Sequence, residues 1–154
     1  MLTAINRRLP GTVCLLLLLL ILLRLGQPAL AEPERYNGVL RGKNLAPPVE
    51  TGGLGSVQLA VLGEQMSWIV SFYDLDSPPV AVQMHGPAGP GEVAPMQIDL
   101  GNNWGDLGRN NLMSGKTVIS PDQLTTLSTG KWYLVVRTQA HPEGELRAQL
   151  QRFN

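Results

Sequence analysis

The chain has 154 residues, and its 12 basic and 12 acidic side chains balance to a formal net charge of zero. This length allows one ordinary domain. Residues 1–31 hold three arginines and no acidic residue, so the remaining 123 residues carry a net charge of −3. Because nucleic-acid phosphates require clustered Lys and Arg, we expect no nucleic-acid partner.

Residues 1–31 have the pattern of an export signal. Two arginines, Arg7 and Arg8, precede the apolar run 13–23, whose 11 residues are about half of the ~20 that a membrane-spanning helix needs. The Ala-Leu-Ala sequence at 29–31 is typical of a signal-peptidase site, so we predict cleavage after Ala31. The domain is then periplasmic or secreted, and it contacts the membrane only through this segment. The alternative is an uncleaved N-terminal anchor.

Cleavage would remove Cys14, the only cysteine of the chain. The exported domain would then have no disulfide and no thiolate metal site, and its stability would depend on its hydrophobic core.

After a polar lead at residues 32–39, residues 40–154 have the pattern of one all-β domain. Alternating apolar and polar residues, the mark of half-buried strands, recur in six segments. They are residues 56–61, 66–73, 80–85, 96–100, 132–137 and 146–151. Strands at this spacing predict an antiparallel sandwich or barrel.

Three other segments interrupt this alternation. Residues 86–95 are rich in Gly and Pro and predict a loop, and residues 101–115, with four glycines and four asparagines, predict a long surface loop around Trp104. A capping-box pattern begins at Ser120 and predicts one short helix over 121–129.

Three stretches resemble the chordin-type (CHRD) domain: residues 40–49 (LRGKNLAPPV), residues 82–88 (VQMHGPA) and residues 127–150, which end in PEGELRAQL. The resemblance implies an immunoglobulin-like β-sandwich and a role in binding partners outside the cell. The chain departs from the family pattern at Gln83 and Arg137, where the family usually has histidines, and at Ala148, where it has glycine.

His85 is the first candidate site residue, as a partner-facing group or a metal ligand. A metal site needs three or four converging donors, and the exported part of the chain has only one other histidine, His141. Asp99 and Glu143 are the other residues that could join His85 as metal ligands. The plainer interpretation of His85 is a hydrogen-bonded histidine that supports a loop.

Arg137, Glu145 and Arg147 form the second candidate. If the last two strands pair, the three side chains share a face and could bind an anion or a carboxylate. The structural alternative is a cross-strand ion pair within the hairpin.

Trp104 is the third candidate. With its neighbouring asparagines it could contact a sugar or a partner, or it could simply pin the loop to the sheet. Trp68 and Trp132 alternate with aliphatic residues and are predicted to lie in the core.

No catalytic motif surrounds these residues, so we predict a non-catalytic, extracytoplasmic module without a cofactor that binds a protein or a cell-surface component. The alternative is a β-sandwich protein that binds copper or zinc and could be redox-active, and only the sandwich architecture suggests it.

Overall fold

The computed structural model describes residues 31–107 and 110–153. The predicted export segment lies outside these ranges, apart from Ala31 at its end. No helix within them is both long and apolar enough to cross a membrane.

The described residues form one antiparallel sheet of ten strands, ordered β5-β4-β8-β9-β1-β2-β3-β7-β6, with β10 paired to β1. The strands are β1 (Glu34–Arg41), β2 (Leu54–Leu62), β3 (Gln65–Tyr73), β4 (Pro79–His85), β5 (Met96–Asp99), β6 (Gly105–Leu107), β7 (Asn110–Val118), β8 (Tyr133–Thr138), β9 (Leu146–Gln149) and β10 (Gln151–Phe153). A 3₁₀ turn, Gly42–Asn44, follows β1, and one α-helix in the described part, α1 (Pro121–Ser128), joins β7 to β8.

One hydrophobic core joins the two halves of this curled sheet. Phe72 of β3 and Leu134 of β8 belong to the same buried cluster, although their strands are far apart in the sheet order. Trp68 and Trp132 are also in this cluster, as predicted. The predicted all-β sandwich is therefore confirmed. Residues 34–39 of the predicted polar lead instead belong to β1, where Tyr36 is fully buried.

The predicted helix over 121–129 is also confirmed, with its last residue at Ser128. The Ser120 side chain accepts from the Gln123 backbone N–H, and the Gln123 side chain accepts from the Ser120 N–H. Two otherwise unpaired N–H groups are thus satisfied at the start of the helix.

The predicted long surface loop over 101–115 is wrong. Most of this stretch belongs to β6 and β7, and β7 pairs with β3 along its whole length, from Tyr73↔Asn110 to Gln65↔Val118. Of the inward-facing positions of β7, only Met113 is a large apolar residue, so the alternation is weak in the sequence. The Trp68 ring of β3 fills the space at Gly115, where a Cβ would lie 2.5 Å from Trp68 Cζ2.

The outer face of β4, β8 and β9 is covered by the loop of residues 86–95, called here the cover loop. Ala88 N donates to Lys131 O, and Gly86 N donates to Pro95 O. A second, small apolar cluster forms under this loop from Ala88, Tyr133 and Val135. This face therefore has a partly closed interior of its own, separate from the main core.

Candidate binding groove

A groove of about 370 Å³ lies between the cover loop and the turn that precedes β2. The apolar residues at positions 45–47 and 93–94 flank it, and Tyr133 and Val135 of β8 lie beneath. Three residues with charged side chains, Arg137, Glu143 and Arg147, also line it, together with His85. Three of the candidates from the sequence, His85, Arg137 and Arg147, therefore meet in one place.

Strand register explains why these side chains share a face. His85 pairs with Tyr133, and Val135 pairs with Arg147, so all four residues are on the side away from the main core. Arg137 is two residues beyond Val135 and has the same orientation. The intervening residues, such as Leu134, belong to the main core.

Arg147 is buried, with 2 % of its surface exposed, and it holds the cover loop in place. Nη1 donates to Glu92 O at 2.6 Å, and Nη2 donates to Gly89 O at 2.8 Å. The guanidinium carbon lies 3.6 Å from the centroid of the Tyr133 ring, a cation–π contact. Burial lowers the pKa of Arg147, but a guanidinium remains charged at neutral pH.

His85 is 8 % exposed, and its ring stacks on Tyr133 with centroids 5.3 Å apart. Nδ1 lies 3.0 Å from Ala94 O. Because a carbonyl oxygen only accepts, Nδ1 carries the hydrogen of the neutral ring, and Nε2 is left with a lone pair. Nε2 is buried and has no hydrogen-bond partner among the described residues.

The environment keeps His85 neutral. Burial is the largest cause that lowers its pKa; the hydrogen bond to Ala94 opposes it, and the charges of Arg137 and Arg147 lower the pKa further. A buried imidazole beside two guanidinium groups is poorly placed to gain a positive charge.

Arg137 has the second unpartnered nitrogen of the groove. Its Nη1 donates to Pro142 O at 3.1 Å, while Nε is buried with no partner in the described part of the chain. Buried polar groups in proteins are nearly always hydrogen-bonded, so two unpaired nitrogens from residues of one groove are unusual.

Glu145 lies outside the groove and is fully buried. Its Oε1 accepts from Thr51 Oγ1 at 2.7 Å and from the Asp76 N–H at 2.8 Å, and its Oε2 accepts from Thr138 Oγ1 at 2.8 Å. His141 Nε2 completes this network at 2.8 Å from Asp76 Oδ2.

The predicted cross-strand cluster of Arg137, Glu145 and Arg147 is therefore not formed, although β8 and β9 pair as expected. Glu145 N donates to Val136 O, and Val136 already pairs with Leu146. β9 begins at Leu146, so Glu145 belongs to the turn before it and does not follow the alternation of the strand. In the described ranges no ion pair joins the three side chains.

His85 and His141 also do not converge. Asp76, His141 and Glu145 offer ligand atoms within 4.8 Å of one another, the one such group of three among the described residues. Each already has a hydrogen-bond partner within the protein, and the group joins the segment around Asp76 to the turn before β9. Asp76 is not among the candidates predicted from the sequence, where its Asp-Ser-Pro-Pro context indicates only the end of a strand.

Trp104 is half-buried and lies apart from the groove residues in the sheet, next to β6. Its ring meets Phe72 edge to face, with centroids 6.1 Å apart, and it packs against the main core. This contact agrees with the interpretation that Trp104 pins its segment to the sheet. A role of Trp104 in partner binding stays a prediction.

The model of the CHRD domain family matches residues 36–150, nearly all of the described sheet. The chain belongs to the CHRD domain family. No curated protein and no solved structure matches it. Of the three departures from the family pattern, Arg137 lines the groove directly, and Gln83 lies on the same strand as His85. Arg137 also provides one of the two unpartnered nitrogens of the groove residues.

Proposed function

We propose that this CHRD domain is a non-catalytic binding module outside the cytoplasm that holds a protein or a cell-surface component in the groove of His85, Arg137 and Arg147. The observation that carries this proposal is the pair of buried, unpartnered nitrogens, His85 Nε2 and Arg137 Nε. Leaving such a group unpaired costs about 1–3 kcal/mol, which a ligand that pairs with both would recover.

The residues of the groove are of the kinds that line ligand-binding sites. Concave sites with apolar walls and a few converging polar groups are the usual form of a ligand site. A metal cation in this groove is disfavoured, because two guanidinium charges adjoin His85, the histidine that lines it. The predicted copper or zinc function therefore receives no support from the groove.

Retention of the exported protein on envelopes of the cells that produce it tests the proposal. Arg137→Gln removes the guanidinium charge and leaves only a neutral amide donor near the Nε position, and we expect about tenfold weaker retention, because a hydrogen bond to a charged group contributes about 1.5–3 kcal/mol, more than one between neutral groups. Arg152→Gln is the matched control, since Arg152 is on β10, is well exposed and pairs with Glu34. Equal retention of the two variants would contradict the proposal.

A further inference from the structure

We propose that the ligand group bound in this groove is a carboxylate carried on a small apolar body, and that His85 takes up a proton when the carboxylate binds. The inference deepens the proposed function, since it names the chemistry that the same groove would recognise.

The first argument is the donor that Arg137 provides. Guanidinium N–H groups fit carboxylate oxygens in geometry and charge. Nη1 of Arg137 is occupied by Pro142 O, whereas Nε–H is buried and unpaired among the described residues. A carboxylate oxygen could accept from this N–H once the Arg137 side chain turns to bring the buried atom to the groove surface.

The second argument is the tautomer of His85. The Nδ1–H is held by Ala94 O, so the ring cannot move this hydrogen to Nε2 without losing a hydrogen bond. A carboxylate only accepts, and it would oppose the lone pair of a neutral Nε2. His85 can therefore bond a carboxylate only after Nε2 gains a proton, which makes the bound state the more protonated one.

The third argument is the charge around His85. Arg137 extends from β8 and Arg147 from β9, while Glu143, on the turn between these strands, is the acidic residue that lines the groove. On the cover loop, Glu92 accepts from Gly89 N through Oε2. The two guanidinium groups disfavour a proton on His85 in the empty groove, and an anion between them would reverse this preference.

The fourth argument is the apolar wall. Leu45, Pro47, Val93 and Val135 also line the groove. The volume of about 370 Å³ lies near the lower end of the range for small-molecule sites, roughly 300–1,000 Å³. A short alkyl chain or one ring on the carboxylate would fill this space.

Titration of the exported protein with hexanoate, followed through the His85 ring by NMR, tests the inference. Hexanoate stays ionised between pH 8 and 6, because carboxyl groups titrate near pH 4. We expect the pKa of His85 to rise on saturation. The affinity should increase as the pH falls, by at most about tenfold per pH unit, since one proton is taken up.

Hexanamide is the matched ligand control, because it has the same body without the charge; we expect weaker and pH-independent binding. His85→Asn keeps a donor near Nδ1 and removes Nε2, so it should lose the pH dependence of hexanoate binding. Arg137→Gln should weaken hexanoate binding about tenfold or more, while Arg152→Gln should bind as the unchanged protein does.

Absence of hexanoate binding, equal binding of hexanamide, or an affinity that does not change with pH would overturn the inference. If hexanoate fails but envelope retention still depends on Arg137, only the inference falls. If hexanoate binds with the expected pH dependence while Arg137→Gln leaves envelope retention unchanged, only the proposed function falls.

Discussion

Replacement of Glu145 by alanine should strongly destabilise the domain. The carboxylate is fully buried and accepts three hydrogen bonds, from Thr51, Asp76 and Thr138. Hydrogen bonds to charged groups contribute about 1.5–3 kcal/mol each, but members of one network do not add. We therefore expect Glu145→Ala to lower the free energy of unfolding by about 3–5 kcal/mol.

Urea unfolding followed by tryptophan fluorescence measures this change. With a slope of about 2 kcal/mol per molar urea, the midpoint should fall by about 1.5–2.5 M. Glu145→Gln keeps one oxygen acceptor and should cost less, about 1–2 kcal/mol. The exposed Glu143→Ala is the control and should stay within about 0.5 kcal/mol of the unchanged protein. A loss below 1 kcal/mol for Glu145→Ala would refute the network argument.

Three further predictions concern other parts of the domain. Arg147→Met should remove the bonds to the cover loop, destabilise the fold by about 2–3 kcal/mol and speed amide hydrogen exchange at Ala88; unchanged exchange would contradict this role. Trp104→Ala should cost about 2 kcal/mol in urea unfolding, because its half-buried ring loses the contact with Phe72; no change would show that the ring is not a plug. Because burial lowers the pKa of His85, its neutral form favours folding, and this stability is complete above pH 6.5 and lost as the pH falls through the lowered pKa. His85→Asn should therefore show a smaller loss of stability between pH 7.5 and 5.5, and an equal loss in both proteins would contradict it.

The strands predicted from the sequence are those whose inward positions are filled by their own apolar residues. In β3, for example, Met66, Trp68, Val70 and Phe72 all face the core, and the alternation is visible without any partner strand. The capping box at Ser120 was equally local, because its hydrogen bonds join residues three apart. Both kinds of pattern are complete within a short stretch of chain.

The hairpin of β6 and β7 could not be predicted in this way. At Gly115 the space that a side chain would fill is occupied by Trp68 from a different strand. An apolar side chain of β3 thus fills a space that a side chain of β7 would otherwise fill, and the sequence of β7 alone does not show this. A Gly- and Asn-rich stretch can therefore be a long strand when a large neighbour covers it.

The candidate site was predicted in part. The face of the sheet on which a side chain lies follows from the local sequence, but its burial under a loop depends on distant residues. His85, Arg137 and Arg147 were named from strand alternation, which correctly put them on the outer face. Their burial depends on the cover loop, whose path is fixed by long-range bonds such as Arg147 Nη2 to Gly89 O. Alternation also misplaced Glu145, because this residue lies in the turn before β9 and its side chain does not follow the direction set by the strand.

The contrast between Arg147 and Arg137 is the strongest argument for treating the groove as a site. Both guanidinium groups lie on the outer face of the sheet near the same loop. Arg147 donates to carbonyl oxygens of the cover loop and stacks on Tyr133, so its guanidinium group has its partners within the fold. Arg137 donates one bond, to Pro142 O on the turn between β8 and β9, and leaves Nε buried and unpaired, as His85 leaves Nε2. Trp68 Nε1 is the third buried, unpaired nitrogen among the described side chains, but His85 and Arg137 are the two whose residues line the same groove. The unpaired atoms of His85 and Arg137 are better explained by a ligand that completes their hydrogen bonds.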